Sequence, residues 1–210
     1  MMSRFRVLII PIAIIFLTAC GPRKATISLG EIRSLEASSS KNIIVNIRNI
    51  SDSRDVVLSG ENPAIPQLAT IKKITPASTS KIVAQIRTLS GNVHSDIFTE
   101  KKVATIVKNA IEESFKRAGY NVSNSTENSI PIDVIINQFW AYNTDNFWTF
   151  KFHFDISVEI IGDLPVLHKQ QTFSSNIQLK SAWAAAPRSY ENTINKGIDK
   201  FIRELAVQLK

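Results

Sequence analysis

Trp148, Phe150, Phe152, Phe154, Ile156, Val158 and Ile160 occupy every even position of one stretch, with Thr149, Lys151, His153, Asp155, Ser157 and Glu159 between them. Successive side chains of a strand point to opposite faces, so this pattern predicts a long strand with one buried and one wet face. A one-residue slip would turn all seven apolar groups to water, which fixes the register. Asn143-Thr144-Asp145-Asn146 before it and Gly162-Asp163-Leu164-Pro165 after it supply turns. Residues 130–140 are apolar in both registers, as expected of a central strand, and residues 166–179 give a third, less apolar strand nearer an edge.

Two helices are predicted by a different period. Val103, Ile106, Val107, Ala110, Ile111, Phe115 and Ala118 fall on one helical face. Thr99 is the expected N-cap and Glu100 suits the first turn. Glu112 with Lys116 and Glu113 with Arg117 are favourable i,i+4 pairs, and Gly119 is placed for a left-handed cap. The last helix is expected to start near Ser189, after Pro187, with Ile194, Ile198, Phe201, Ile202, Leu205 and Leu209 as its buried stripe. Asp199 and Arg203 would pair on it, and Gly197 weakens it modestly.

Earlier in the chain, Ile43, Val45 and Ile47 alternate as a strand, with a turn at 49–55. Residues 62–76 hold three prolines and little periodicity, and read as loop. Ile82, Ala84 and Ile86 suggest another strand, ended at Ser90-Gly91-Asn92. The order is β-β-α-β-β-β-α. It implies an α+β domain: a mostly antiparallel sheet of about five strands with two helices packed on one face.

The first residues add a separate signal. Arg4 and Arg6 precede an apolar run over 7–17, which ends in Leu17-Thr18-Ala19-Cys20-Gly21. A basic region, a short apolar region and small residues before a cut site make a secretory signal, too short to span a membrane. Leu-Thr-Ala-Cys-Gly resembles the lipobox of bacterial lipoproteins. That resemblance implies cleavage between Ala19 and Cys20, diacylglycerol on the Cys20 thiol and an acylated amine. An ordinary buried thiol is the competing reading, but position, flanks and small residues all favour lipid. The expected organisation is therefore a signal peptide over 1–19, a lipidated N-terminus and tether over 20–40, and one periplasmic domain over 41–210. The tether, with a short strand at 26–29, would reach roughly 60–70 Å if fully extended.

Cys20 is the only cysteine, so the exported domain has no disulfide and no thiol nucleophile. The net charge of +7 falls to +5 once Arg4 and Arg6 leave with the signal, and no five-residue basic block appears. Nucleic-acid binding is not expected. A mildly basic surface fits proximity to anionic lipid, or plain solubility, which is the preferred reading.

Chemistry is sparse. His94, His153 and His168 lie far apart without metal-ligand spacing. His153 and His168 read as solvated. Asp155 and Glu159 stand on one strand face roughly 13 Å apart, wide for a two-carboxylate glycosidase, and also read as solvated. There is no G-x-S-x-G, phosphate loop or dinucleotide glycine pattern, so no catalytic residue, metal site or cofactor is expected. Trp140 and Trp148 are assigned to the core. Trp183, between strand and helix, is the candidate partner contact.

Phe115-Lys116-Arg117-Ala118-Gly119-Tyr120-Asn121-Val122, then Ile135-Ile136-Asn137-Gln138-Phe139-Trp140-Ala141-Tyr142, then the alternating strand, resemble the YajG-like family of uncharacterised bacterial lipoproteins over about residues 100–209. The 62–76 loop is longer than that family suggests. The resemblance implies a lipid-anchored periplasmic domain without known catalysis. The expectation is a non-enzymatic accessory or assembly factor at the outer membrane, held through Cys20 and acting on an envelope protein partner. The alternative is a carrier of an apolar or glycan ligand between sheet and helices.

Overall fold

A computed structural model describes residues 23–34, 40–58, 60–70, 73–88, 91–146, 149–167, 169–181 and 186–210. Among these the strands are β1 (Arg23–Ile27), β2 (Ile44–Asp52), β3 (Val57–Leu58), β4 (Gln67–Leu68), β5 (Ile82–Arg87), β6 (Val93–Thr99), β7 (Asn121–Val122), β8 (Ile130–Asn146), β9 (Thr149–Ile161) and β10 (Gln170–Ser181). The helices are α1 (Pro76–Thr79), α2 (Val103–Arg117) and α3 (Pro187–Gln208).

Eight strands form one mixed sheet with β8 as its spine. One edge of β8 pairs antiparallel with β9, and β9 with β10. The other edge is shared. β2 runs parallel beside residues 130–136 and carries β7 outside it. β5 takes over at Ala141 and carries β6 and then β1. This corrects the expected sheet of about five mostly antiparallel strands. The β1–β6, β2–β7, β2–β8 and β5–β8 neighbours are all parallel. Hairpins are readable locally because both strands and the turn share one window. β2 and β8 are separated by the whole of 53–129, and nothing local announces that pairing.

β8 is apolar in both registers for a specific reason. Its pairing with β9 shifts between Ile136 and Gln138, a one-residue bulge. Ile132, Val134 and Ile136 face the main core before the bulge, and Phe139, Ala141 and Asn143 after it. β9 keeps its even residues inward throughout, from Phe152 to Ile160. Phe139 meets Phe154 edge to face at 4.9 Å.

The long helices cover this face. α2 starts at Val103 with Lys102 as an N-cap lacking a side-chain bond. Thr99, expected to cap it, ends β6 instead, and its hydroxyl donates to the carbonyls of Lys81 and Lys101. At the other end Gly119 takes φ 90°, its N–H donates to Lys116 O, and Tyr120 N–H donates to Phe115 O. The rings of Phe115 and Tyr120 close this left-handed cap at 5.4 Å. α3 starts at Pro187, two residues before the expected Ser189. Its stripe of Ile194, Ile198, Phe201, Ile202, Leu205 and Leu209 is buried. Arg117 pairs with Glu113, but Glu112 pairs with Lys108, and Lys200 with Glu204 stands where Asp199 with Arg203 was expected.

The second sheet face is not bare. Between β2 and β5 the chain makes an excursion that holds β3, β4 and α1 and packs over it. Val56, Leu68, Ile82 and Trp140 form a small second core there. Trp140 Nε1 donates to Pro63 O at 2.8 Å and Gln138 Nε2 to Ala64 O at 3.1 Å. Asp96, wholly buried on β6, accepts from the N–H groups of Ala69 and Thr70, from the Thr70 hydroxyl and from Gln85 Nε2.

Arg54 closes the fork where β8 changes neighbour. Its side chain is fully buried and pairs in bidentate fashion with Asp52. The same guanidinium donates to Ile82 O at 2.8 Å, Phe139 O at 3.0 Å and Thr79 O at 2.8 Å. A gap between two strands leaves carbonyls without ladder partners, and one planar five-donor group satisfies two of them, Ile82 O and Phe139 O, together with Thr79 O at the end of α1.

Candidate functional site

Cys20 and Ala19, the expected acylation and cleavage residues, lie outside the described residues, as do Trp148, His168 and Trp183. What the structure fixes is where the chain arrives after Cys20. Residues 23–27, expected within a tether, form edge strand β1, parallel to β6 with Arg23 opposite Ser95. The chain then crosses the helices as a strap. Gly30 N–H donates to Asn195 Oδ1 on α3 at 3.1 Å, and Arg117 on α2 donates to Arg33 O at 2.9 Å.

β1 starts at a defined end of the sheet. β5 and β8 finish there, β6 and β9 begin there, β10 finishes there with Lys180 opposite Lys151, and α3 begins there. Arg23, Lys24, Lys180 and Arg188 are exposed at this end and Lys151 is partly so. Among the described side chains, Glu61 and Glu191 are acids of the same end.

Under the strap lies an open groove of about 720 Å³. Leu29, Ile32, Ile106 and Ile198 give it apolar patches, and Glu31, Glu100, Glu112, Glu113 and Asp199 outnumber Lys101 and Lys116. It lies outside the layer between sheet and helices, which Phe152, Phe154, Phe201, Ile194 and Ile202 fill with at most 1% exposure each.

The outer sheet face holds the main titratable cluster. His153 was read as solvated, and the structure corrects this: its ring stacks on Tyr142 at 4.7 Å, and Nε2 lies 2.8 Å from Thr144 Oγ1. Burial lowers the His153 pKa, outweighing the raising pull of Asp155, and so favours neutral imidazole. Asp155 is also half-buried. Burial raises its pKa, against the opposing pulls of His153 and of its hydrogen bond with Tyr142. Chemically, the cluster has a neutral base and a carboxyl group, but Asp155 spends its hydrogen bond on Tyr142 rather than on orienting the imidazole. His94 is exposed on β6, three strand spacings from β9 and so roughly 14 Å away. Among the described residues no three His, Asp or Glu side chains are placed to hold a metal, and no helix is long and apolar enough to cross a membrane.

The mixed sheet and its helix layer define an α+β domain. Residues 79–208 match the family described as uncharacterized lipoprotein, and the chain belongs to that family. Membership implies a membrane-anchored envelope protein and agrees with the resemblance read over 100–209. No curated protein matches the chain. Among solved structures, it is similar to a Xanthomonas campestris protein of the DUF330 family, with 7% identity, a TM-score of 0.50, and 87% of this chain and 92% of that one covered. A Helicobacter pylori protein described as a neuraminyllactose-binding hemagglutinin homolog aligns at 10% identity and a TM-score of 0.38, over 86% of this chain and 92% of that one. At 7% identity the likeness to the Xanthomonas campestris protein shows fold alone.

Proposed function

We propose that this is a non-enzymatic lipoprotein, anchored by acyl chains on Cys20 in the outer membrane and facing the periplasm, where it serves as an accessory factor through protein contacts. The observation that carries the contact reading is the excursion over the second sheet face. Leu58, Ile65 and Ile74 on it are 45%, 41% and 37% exposed, three of the five exposed large apolar side chains among the described residues. Exposed apolar groups concentrated on one segment mark a contact surface. The carrier reading has less support, because the space between sheet and helices is packed and the groove under the strap is open. The scattered histidines, and an Asp155 committed to Tyr142, support the non-enzymatic reading.

Two measurements test this. Mass spectrometry of the mature N-terminus should find acylated Cys20, and Cys20→Ser should leave the precursor uncut. Gly21, rather than an acidic residue after the cysteine, leads us to expect the protein in the outer-membrane fraction. Photo-crosslinking in cells from position 65 should trap one partner, and Leu58→Asp with Ile74→Asp should abolish that adduct while the melting temperature holds. An unacylated chain starting elsewhere would refute the anchor. An adduct indifferent to both substitutions would refute the contact surface.

A further inference from the structure

We infer that the end of the domain carrying Arg23, Lys24, Lys151, Lys180 and Arg188 rests on the anionic phospholipid headgroups of the leaflet that holds the acyl chains. The inference rests on the acylation of Cys20 proposed above and adds an orientation and a lipid-contact surface to it. The first argument is reach. Cys20 and Arg23 are three residues apart, so their Cα atoms lie at most ~11 Å from each other. Acylated Cys20 sits at headgroup level, and β1 is part of the sheet from Arg23 onward. The domain therefore has no long leash, and the end where β1 starts is the end nearest the bilayer.

The second argument is charge complementarity. Arg23 lies level with Ser95 and Ile86 through β6 and β5, while Phe152 and Leu179 stand opposite each other across β9 and β10. Asn143 joins the two halves, opposite Phe152 and two residues beyond the Ala84–Ala141 pair. From β1 to β10 is five strand spacings, roughly 24 Å. Exposed cations stand at both margins of that width, Arg23 and Lys24 at one and Lys180 at the other with the partly exposed Lys151 beside it, and exposed Arg188 lies in the first turn of α3 at the same end. Arg87 at the same end is engaged inward, donating to Gly60 O and Gln67 Oε1, and is not counted. Both ends carry acids: Glu61 and Glu191 stand here among five exposed or partly exposed cations, and Glu127 and Asp163 at the opposite end among Lys41, Lys169 and Lys210. Each cation held close to an anionic surface favours contact about fivefold. A body tethered at one point and carrying cations on both margins of that end will settle with the end flat. The strap groove, lined by residues that follow the ends of β1 and β6, is then held off the bilayer, and the far end, with β7 and the start of β8, points away from it.

The test uses the full acylated protein, its Cys20 acylation verified by mass spectrometry, in phosphatidylcholine vesicles with and without phosphatidylglycerol. Because the Cys20 thiol is occupied, a fluorophore can be attached at a single introduced cysteine. Asn92→Cys reports the proposed contact end and Ser125→Cys the far end; both positions are exposed. Headgroup-level quenching by brominated lipid should be several-fold stronger at 92 than at 125 on phosphatidylglycerol vesicles. Molar salt should reduce that difference, because the screening length falls to roughly 3 Å. Reversing Arg23, Lys24, Lys180 and Arg188 to Glu together should abolish it, with an unchanged thermal melt showing that the variant is folded. Equal quenching at both positions in acylated protein would overturn the orientation while leaving the anchor standing. Quenching at 92 that survives the charge reversal would overturn the lipid-contact surface. So would a reversal that instead abolishes a protein crosslink, which would assign the cations to an acidic partner. A chain without acyl groups on Cys20 would remove the premise, and it would be recognised before any vesicle is made.

Discussion

Replacing Arg54 by alanine should be among the most damaging single changes outside the main core. The guanidinium sits at the fork where β8 exchanges β2 for β5, fully buried, with donors committed to Ile82 O, Phe139 O, Thr79 O and both oxygens of Asp52. A buried acceptor left without a partner costs about 1–3 kcal/mol. Three of them give an upper range near 9 kcal/mol, also by that rule. The vacated space is large enough for water to restore part of this. Asp52 is exposed and can be re-solvated, so the expected loss, about 3–5 kcal/mol, comes from the carbonyls left without a donor. For a domain of this size it corresponds to a fall of roughly 10 °C in melting temperature. Urea unfolding followed by tryptophan fluorescence suits the measurement, since Trp140 adjoins Phe139 at the fork. Arg54→Lys should recover less than half of the loss, because a single ammonium cannot present a planar fork to a carboxylate and three carbonyls at once. A loss below about 1 kcal/mol for Arg54→Ala, or full recovery with lysine, would refute this account of the fork.

Three further outcomes are expected. Gly197→Ala should gain about 1 kcal/mol of helix propensity, yet destabilise the protein overall by about 1–2 kcal/mol. The new Cβ would overlap the Phe154 ring, and Cγ2 of Ile177 is only 3.1 Å away. A raised melting temperature would contradict this. Phe154→Ala should cost about 3–5 kcal/mol in denaturant melts, against less than about 0.5 for Thr172→Ala on the exposed face of β10. Equal losses would mean the inward face is misassigned. Burial lowers the His153 pKa below its ordinary 6.5, so just below that pH the unfolded chain binds more protons and stability falls as pH falls. Asp155 acts oppositely: its raised pKa makes the folded state bind more protons above 3.8, so stability rises as pH falls through that window. The urea midpoint of His153→Phe should therefore drop less between pH 7 and about pH 5.5 than that of the parent, and parallel drops would refute the burial effect.

By itself, the sequence determined everything that depends on a single local window. The even positions of β9 place Phe152 to Ile160 inward because strand side chains alternate whatever the strand pairs with. The stripes of α2 and α3, the left-handed Gly119 and the β9–β10 hairpin follow from the same local physics. Leu17-Thr18-Ala19-Cys20 likewise supports an anchor from a handful of adjacent residues. Tertiary structure decided what depends on distant partners. Asp96 and Ser95 make β6 look too polar for a buried strand, and only the backbone of 69–70 and Gln85, brought from elsewhere, satisfies Asp96. Trp140 has the parity of a core residue in one register and of a surface residue in the other. The bulge after Ile136 and the excursion that covers Trp140 give it a second core. His153 and Asp155 sit on the polar side of β9, yet both are partly buried and Tyr142 of β8 stacks on the His153 ring, so their environment is not set by their own strand. Thr99 has the chemistry of a helix cap, but two backbone carbonyls hold it at the end of β6. Asp96, Trp140 and Thr99 are each held by a hydrogen bond to a residue distant in the chain, Thr70, Pro63 and Lys81 respectively. Local periodicity carries no trace of such bonds, because the desolvation they offset arises only once the sheet and its two covering layers have come together.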